Sequence, residues 1–413
     1  MARPTSRLGA SLQGLQPLTE LAQRGGALLS DRLVEARSGR PLRVGEHRDD
    51  RFDVVAFFSG EPEQLYQLRM WLGPLTELSH HLPVALLLRD ARNARAVAEE
   101  SDLPVRMSRR TEECNAWIVG CGARLVLYVN QNTQNFQTLR LSRPVHAHLS
   151  HGESEKVSMV SNQLKAYDRV FTAGPAARQR ILGHLVDFDE AHLVDVGRPQ
   201  LDVHAARRHL SIGPRTTVLY APTWEGDSPA MAYGSVASQG VEIATAVLAS
   251  PDHRLLYRPH PQTGRFSRAT RAADQRIRTL VDRARAADPA AGHLVDTGTD
   301  FGWQLDEADL CVCDVSAVAF DWLATGKPMV LTASHSDSAS AGRTTQQLPR
   351  LGPGEAPRVL ERLAKESDPA HRARLHQLVE HHFGDTSPGA SMARFVAACR
   401  DTVAERRAQL GEA

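Results

Sequence analysis

The chain has 413 residues, which is enough for two domains of ordinary size and a short additional segment. Hydrophobic residues make up 42% of it and charged residues 23%, as in soluble globular proteins. The 49 lysines and arginines are balanced by 48 aspartates and glutamates, so the overall charge does not predict a basic surface for nucleic acid. Aromatic residues make up only 5% of the chain and form no array on which bases could stack, so no nucleic-acid partner is predicted.

The first predicted element is an amphipathic helical segment over residues 1–48. Leucines recur at helical spacing from Leu15 to Leu33, with Gly25 and Gly26 as an interruption. This segment either packs on the following domain or uses residues 12–37 for peripheral contact with a membrane surface or a partner. No run of about 18 apolar residues predicts a transmembrane helix, and the first residues lack the apolar core of a signal peptide.

Residues 49–198 alternate short apolar runs with helical patterns such as Gln64–Leu78 and Ala176–Leu185. This alternation is typical of a parallel sheet that is covered by helices on both faces. The predicted strands of this first domain are Val54–Phe58, Val84–Leu88, Leu125–Val129, Val145–Leu149, Val170–Thr172 and Val194–Val196.

Residues 199–413 repeat the pattern after a joint at Gly197-Arg198-Pro199, and helices are predicted from about residue 355 onward. The predicted strands of this second domain are Thr217–Tyr220, Leu255–Tyr257, Leu294–Val295, Leu310–Cys313 and Met329–Leu331. We therefore predict an α/β protein with two tandem Rossmann-like, doubly wound domains that face a cleft, an N-terminal helical segment and C-terminal helices.

Ligands of open parallel sheets bind beyond the carboxyl ends of the strands, so the residues that follow the strands are informative. In Arg258-Pro259-His260-Pro261, two prolines restrict the backbone around His260. A fixed histidine beside an arginine suits phosphate binding or proton delivery to a leaving oxygen. The alternative is a stiffened turn that carries a surface histidine.

A strand followed by Asp314-Val315-Ser316-Ala317 and a helical pattern presents free backbone N–H groups, which can bind a phosphate. Asp314 or Ser316 alternatively serves as the N-cap of that helix. Both interpretations are compatible, because a capping position and a phosphate-binding position often coincide.

The stretch His151-Gly152-Glu153-Ser154-Glu155-Lys156 follows the predicted strand Val145–Leu149. His151 is a candidate general base at a strand end. Glu155 could orient it or contact substrate, and Lys156 could contact a phosphate, whereas Glu153 and Ser154 could simply cap a following helix. No P-loop, dinucleotide-binding glycine motif, serine nucleophile elbow or His-Glu-x-x-His zinc motif occurs, so no metal or bound cofactor is predicted.

Six motifs in this order resemble the CDP-glycerol glycerophosphotransferase family of teichoic acid and capsule polymer synthesis, in the form of an actinobacterial branch. The resemblance spans about residues 50–335. Its motifs are residues 151–156, Tyr167–Phe171 with Gly174-Pro175, 197–199, Tyr220–Trp224, 258–261 and 314–321.

The resemblance implies a GT-B fold with a nucleotide-diphosphate donor held mainly by the second domain. It implies that His151 deprotonates the acceptor hydroxyl and that His260 binds the donor phosphates. The remaining site residues are assigned by side of the cleft. On the donor side they are Arg258, Asp314, Ser316, Ala317, Thr223 and Trp224, and on the acceptor side Gly152, Glu153, Ser154, Glu155, Lys156 and Asn130.

The chain departs from the better-known members of that family, which have His-Gly-Thr-Pro-Leu-Lys at residues 151–156. Glu153 and Glu155 add two carboxylates where phosphates are expected, which leaves the transferred group open. Val315 replaces the usual aromatic residue of the Asp-Tyr-Ser-Ser motif.

The sequence therefore predicts a metal-independent transferase that moves glycerol phosphate, or a related polyol or sugar phosphate, from a CDP-linked donor to an envelope polymer, glycan or lipid-linked acceptor. The alternatives are a GT-B glycosyltransferase that uses a nucleotide sugar and a non-catalytic homologue that binds nucleotide or polymer. Five cysteines give no disulfide framework, which favours a cytoplasmic protein. A lipid-linked acceptor and residues 12–37 would place it at the periphery of the inner face of the membrane. No oligomeric state is indicated.

Overall fold

The computed structural model describes residues 42–150, 152, 153, 155, 160–203, 210, 213–227, 232–298, 301–332, 343–352 and 354–412. The amphipathic segment predicted over residues 1–48, including the proposed contact region 12–37, therefore lies almost entirely outside the described residues. None of the described helices is both long and apolar enough to cross a bilayer.

A seven-stranded, fully parallel sheet forms the first half of the chain, in the order β3-β2-β1-β4-β5-β6-β7. Alternate residues of β1 belong to the cores on opposite sides of the sheet: Val54 and Ala56 on one side, Val55 and Phe57 on the other. This explains why the strand is a continuous apolar run. The strands are β1 Val54–Phe58, β2 Val84–Leu88, β3 Val105–Met107, β4 Leu125–Tyr128, β5 Val145–His148, β6 Arg169–Thr172 and β7 Leu193–Asp195.

A second parallel sheet of six strands follows, in the order β10-β9-β8-β11-β12-β13. It is also buried on both faces, since Leu219 and Val218 of β8 pack into separate cores. The strands are β8 Thr216–Ala221, β9 His253–Tyr257, β10 Leu294–Val295, β11 Leu310–Cys313, β12 Met329–Thr332 and β13 Arg350–Leu351. The prediction of two doubly wound parallel sheets is confirmed.

Two edge strands were not predicted, for reasons that are visible in their sequences. β3 has three residues with Arg106 at its centre, and β13 has two residues, of which one is Arg350. The described α-helices are Tyr66–Ser79, Ala91–Glu100, Thr111–Gly120, Pro175–His184, Pro199–Asp202, Val241–Leu248, Arg268–Ala287, Trp303–Glu307, Ala317–Leu323, Arg343–Gln347, Val359–Glu366, Pro369–Phe383 and Ala390–Gln409.

Strand order reverses at the centre of each sheet, between β1 and β4 in the first and between β8 and β11 in the second. The connections there leave in opposite directions, so a crevice opens at the carboxyl ends of the strands. Ser59 and Asn130 follow β1 and β4, while Pro222 and Asp314 follow β8 and β11.

The last helix, Ala390–Gln409, packs on the first sheet. Its buried side chains Met392, Phe395, Val396 and Cys399 belong to the same core as β1 and β4. This helix therefore packs in the core of the first sheet, although it follows the second sheet in the chain.

A buried ion pair joins the segment after β7 to the second sheet. Nε of Arg198 donates a hydrogen bond to Oδ1 of Asp321 at 2.8 Å, and Nη2 lies 2.6 Å from the same oxygen. Both side chains are almost completely shielded from solvent. Burial raises the pKa of Asp321, and the charge of Arg198 opposes this rise. Asp321 lies in the helix Ala317–Leu323, so the pair fixes that helix relative to the junction.

We predict that Asp321→Ala lowers stability by about 3–5 kcal/mol, because it leaves the buried Arg198 charge without a partner. Chemical unfolding followed by circular dichroism measures the loss. The double variant Arg198→Met/Asp321→Leu should lose less than the single variant, since no unpaired charge remains buried.

A matched control is Asp282→Ala, which breaks the exposed Arg285–Asp282 pair and should change stability by less than about 1 kcal/mol. Equal stability of Asp321→Ala and the unaltered protein would contradict the importance of the buried pair.

Candidate functional site

A cavity of about 740 Å³ lies between the two sheets. Its volume is within the ordinary range for small-molecule sites, roughly 300–1,000 Å³. The first half of the chain contributes the start of the helix Tyr66–Ser79 and Gly152, and the second half contributes the loops after β8, β9 and β11. Among its lining residues are Tyr66, Arg69, Gly152, Thr223, Trp224, Arg258, His260, Arg265, Phe301, Ser316 and Ala317.

Asp314 lies beneath the floor of this cavity and is fully buried. Its carboxylate accepts hydrogen bonds from the backbone N–H of Thr223 at 2.8 Å, the backbone N–H of Ser235 at 3.0 Å and the hydroxyl of Thr332. Burial raises the pKa of Asp314, whereas these hydrogen bonds lower it. The structure thus places the carboxylate of Asp314 among protein donors, and its predicted contact with the donor substrate stays a prediction.

Ser316 and Ala317 form the edge of the floor at the start of the helix Ala317–Leu323. Ser316 precedes the first helical residue, but its buried hydroxyl makes no hydrogen bond to any described residue. Ala317 packs against Gly152 so closely that a Cβ at residue 152 would come within 2.8 Å of the Cβ of Ala317. Gly152 thus permits the two halves of the chain to meet at the cavity.

Arg258 lines the cavity, but its charge is balanced by a neighbour. Its guanidinium forms an ion pair with the buried Asp296 and lies 5.3 Å from the ring centre of Phe301. Asp296 also accepts a hydrogen bond from the Gln304 amide at 2.6 Å. Arg258 is therefore held in place by contacts within the second domain, and its predicted donor-side role stays a prediction.

His260 is contacted from both halves of the chain. The ring of Tyr66 meets it edge-on with centroids 5.5 Å apart, and the Trp224 ring lies nearly parallel to it at 6.2 Å. Its Nδ1 accepts a hydrogen bond from the backbone N–H of Gln262 at 3.1 Å, so the neutral imidazole carries its proton on Nε2. Burial raises the pKa of the Tyr66 phenol, which keeps that side chain neutral.

The two acidic residues that set this chain apart have partners inside the protein. Glu153 forms an ion pair with Arg180, and both side chains are largely buried. Glu155 accepts hydrogen bonds from the backbone N–H and the hydroxyl of Thr345, both at 2.8 Å. The structure thus places both carboxylates against protein partners, and their predicted acceptor-side role stays a prediction. The Glu155–Thr345 contact links the two halves of the chain.

Three predicted site residues, His151, Ser154 and Lys156, lie outside the described residues. The backbone immediately before His151 is held in place. The carbonyl of Ser150 accepts a hydrogen bond from the indole of Trp71 at 2.6 Å, and Ser150 has a positive φ of 58°. Such a conformation in a residue other than glycine is uncommon and typical of constrained loops at functional sites.

Asn130 follows β4 and is buried in a polar network that does not line the cavity. The amide of Asn135 donates to the Asn130 carbonyl at 2.8 Å and to the Tyr167 hydroxyl at 3.2 Å. Ser59 donates to the other end of the Asn135 amide at 2.9 Å. The structure thus places Asn130 beneath the acceptor side rather than at its surface.

Several lining residues were missed by the sequence interpretation. Tyr66 and Arg69 are parts of a predicted helix, and nothing in their spacing indicated that this face would meet the second domain. Arg265 and Phe301 lie beyond the motifs. Within the described residues, no group of three His, Cys, Asp or Glu side chains could hold a metal ion.

We predict that Glu155→Ala destabilises the protein by about 1–3 kcal/mol, because the buried N–H and hydroxyl of Thr345 lose their acceptor. Thr345→Val should cost less, since the backbone N–H keeps its partner, and the two effects should not add because they remove one interaction. Thermal unfolding of the single and double variants measures both quantities. Glu112→Ala, an exposed glutamate, is the matched control, and a Glu155→Ala variant as stable as this control would contradict the assignment.

Comparisons with known proteins identify the family. A family model described as CDP-glycerol:poly(glycerophosphate) glycerophosphotransferase matches residues 126–373. These residues include the strands β5 to β13 and all of β4 except its first residue. No curated protein sequence matches the chain.

Solved structures share the fold at low sequence identity. A protein described as a UDP-N-acetylglucosamine 2-epimerase from Listeria monocytogenes is 15% identical over 86% of this chain and 97% of its own, with a TM-score of 0.59. The wall teichoic acid polymerase TagF is 13% identical over 96% of this chain and 99% of that chain, with a TM-score of 0.54. The predicted GT-B fold is confirmed. Because the family model matches more than half of the chain, across both sheets, the chain belongs to the CDP-glycerol:poly(glycerophosphate) glycerophosphotransferase family.

Proposed function

We propose that this protein transfers glycerol phosphate from CDP-glycerol to a hydroxyl group of a cell-envelope polymer. The observation that carries the proposal is the cavity between the sheets, where His260 lies between Tyr66 and Trp224 and the unpaired hydroxyl of Ser316 lies at the floor. Membership of the glycerophosphotransferase family supports the same donor and acceptor classes.

In the proposed reaction, the acceptor hydroxyl oxygen attacks the phosphorus that bears the glycerol group. A phosphodiester forms, the bond from this phosphorus to the bridging oxygen breaks, and CMP leaves with that oxygen. His151 takes the proton of the hydroxyl, and His260 donates a hydrogen bond from Nε2 to the donor phosphates. Phosphoryl transfer needs mainly positioning and charge neutralisation, which such groups supply.

Three carboxylates near the cavity have partners inside the protein, and this supports a phosphate substrate. Asp314 and Glu155 accept hydrogen bonds from protein groups, and Glu153 forms an ion pair with Arg180. Their negative charges therefore do not face a substrate in this arrangement, and the departure at residues 153 and 155 gives no reason to replace glycerol phosphate by another group.

We predict that the purified chain releases CMP from CDP-glycerol in the presence of a glycerol phosphate polymer. Replacing His260 by alanine should reduce this rate by about a hundredfold or more, because a positioned group at the developing charge is lost. His151→Ala should have an effect of similar size. The control is His371→Ala, which replaces an exposed histidine of the helix Pro369–Phe383.

We also propose that the reaction needs no metal ion, so EDTA should leave the rate of CMP release unchanged.

The released nucleotide separates the proposal from its alternatives. Release of a nucleoside diphosphate from a nucleotide sugar would identify a glycosyltransferase instead. Binding of CDP-glycerol without release of CMP under any condition would identify a non-catalytic homologue.

We also propose that the protein acts at the cytoplasmic face of the membrane through residues 12–37. Flotation of the full chain with anionic liposomes, compared with a chain that lacks residues 1–37, tests this. Equal flotation of the two would contradict a membrane role for the segment.

A further inference from the structure

Three arginines line the cavity, and two of them already have carboxylate partners. Arg69 forms an ion pair with Glu100, and Arg258 forms one with Asp296. Arg265 has no carboxylate within 4.0 Å in the part of the chain that the structure describes, and its guanidinium instead lies 5.4 Å from the ring centre of Phe266. Arg265 is therefore a cation of the cavity whose charge no carboxylate among the described residues balances.

The loop that carries Arg265 is held by the carboxylate of Glu225 and by the guanidinium of Arg271, which donates to the carbonyls of Gly264 and Arg265. Glu225 accepts hydrogen bonds from the backbone N–H groups of Gly264 at 2.9 Å, Phe266 at 2.8 Å and Ser267 at 2.9 Å. Burial alone would raise the pKa of Glu225, but these hydrogen bonds outweigh it and hold the pKa below its usual value. The loop is thus constrained at the residues on both sides of Arg265.

This constrained loop exposes an aromatic side chain beside Trp224, which lines the cavity. Phe266 is 60% exposed, whereas Thr223 and Ser316 at the floor are buried. Its ring contacts Trp224, with centroids 5.7 Å apart, and Trp224 in turn contacts His260. An exposed ring on a fixed backbone does not contribute to the core, and an aromatic face beside a cation suits a ligand that combines apolar and anionic groups.

The chemistry of the two substrates favours an anion other than the donor diphosphate as the partner of Arg265. The two phosphates of a nucleoside diphosphate are joined by one bridging oxygen and therefore lie close together. The groups around His260 and Ser316 can contact both phosphates. His260 contacts the ring of Trp224, Trp224 contacts the ring of Phe266, and Phe266 contacts the guanidinium of Arg265. The donor base carries no charge that would require a guanidinium, whereas a poly(glycerol phosphate) chain carries a phosphodiester in every unit.

We propose that Arg265 and Phe266 form an outer subsite that binds a phosphodiester of the acceptor chain, beyond the point at which the donor reacts. This inference rests on the proposed function and specifies its acceptor: an anionic chain of more than one unit, rather than a neutral glycan or a single polyol. The guanidinium binds the phosphodiester, and the ring of Phe266 contacts the glycerol carbons.

The test compares acceptors of different length in steady-state release of CMP from CDP-glycerol. The unaltered protein should have a lower KM for multi-unit glycerol phosphate oligomers than for a single-unit acceptor. Arg265→Gln should raise the KM for the multi-unit acceptor by about tenfold, as expected for loss of a charge-assisted hydrogen bond. Its kcat and its KM for CDP-glycerol should stay unchanged. Arg265→Lys should retain part of the affinity.

Ionic strength and a neighbouring arginine provide the controls. The KM for the multi-unit acceptor should rise with salt in the unaltered protein and rise less in Arg265→Gln. Arg268→Gln removes an equally exposed positive charge that does not line the cavity, and it should leave every parameter unchanged.

Two results would overturn the inference: an unchanged KM for the multi-unit acceptor in Arg265→Gln, or a rise in the KM for CDP-glycerol instead. If the unaltered protein releases no CMP with any acceptor, the proposed function is wrong. Equilibrium binding of the multi-unit oligomer still decides the subsite in that case. Binding about tenfold weaker in Arg265→Gln supports it, and equal binding contradicts it.

Discussion

The carboxylate of Asp314 is the interaction on which the donor half of the cavity depends. It joins three segments that are far apart in the chain, because it accepts hydrogen bonds from Thr223, Ser235 and Thr332 in a place from which solvent is excluded. The loop after β8, the strand β12 and the start of the helix Ala317–Leu323 therefore have one common anchor. The positions of Trp224 and Ser316 follow from it, and so does the shape of the floor.

Other carboxylates around the cavity act in the same way, and this determines its electrostatic character. Glu225 holds the loop 264–267, Glu153 pairs with Arg180, and Glu155 binds Thr345. Each negative charge is thus satisfied by N–H groups, a hydroxyl or a guanidinium of the protein. The cavity lining carries hydroxyls, aromatic rings, an imidazole and Arg265, together with the exposed carboxylate of Glu63. A polyanionic substrate therefore meets groups of both charges, and Arg265 supplies the positive one.

Much of the fold could be predicted from the sequence, because buried parallel strands are apolar runs and polar residues follow them. The short edge strand β3, with Arg106 at its centre, has no such signal. The site was predicted in part: the motifs gave the loops that meet at the cavity, but not the direction of each side chain. Asp314 and Glu155 illustrate this limit, since a carboxylate after a strand can face a ligand or the protein, and only the partners Thr332 and Thr345, distant in sequence, decide which.

The packing of the helix Ala390–Gln409 on the first sheet has a consequence for how the chain folds during synthesis. The strands β1 to β7 leave the ribosome first, yet Met392, Phe395 and Cys399, which complete one of their cores, are made only after the whole second sheet. The helices Tyr66–Ser79 and Ala91–Glu100 cover part of that face early, and the rest stays exposed until the helix Ala390–Gln409 has been made. Chains that stop before this helix therefore expose an apolar surface, and the core of the first sheet is completed only after the second sheet has been synthesised.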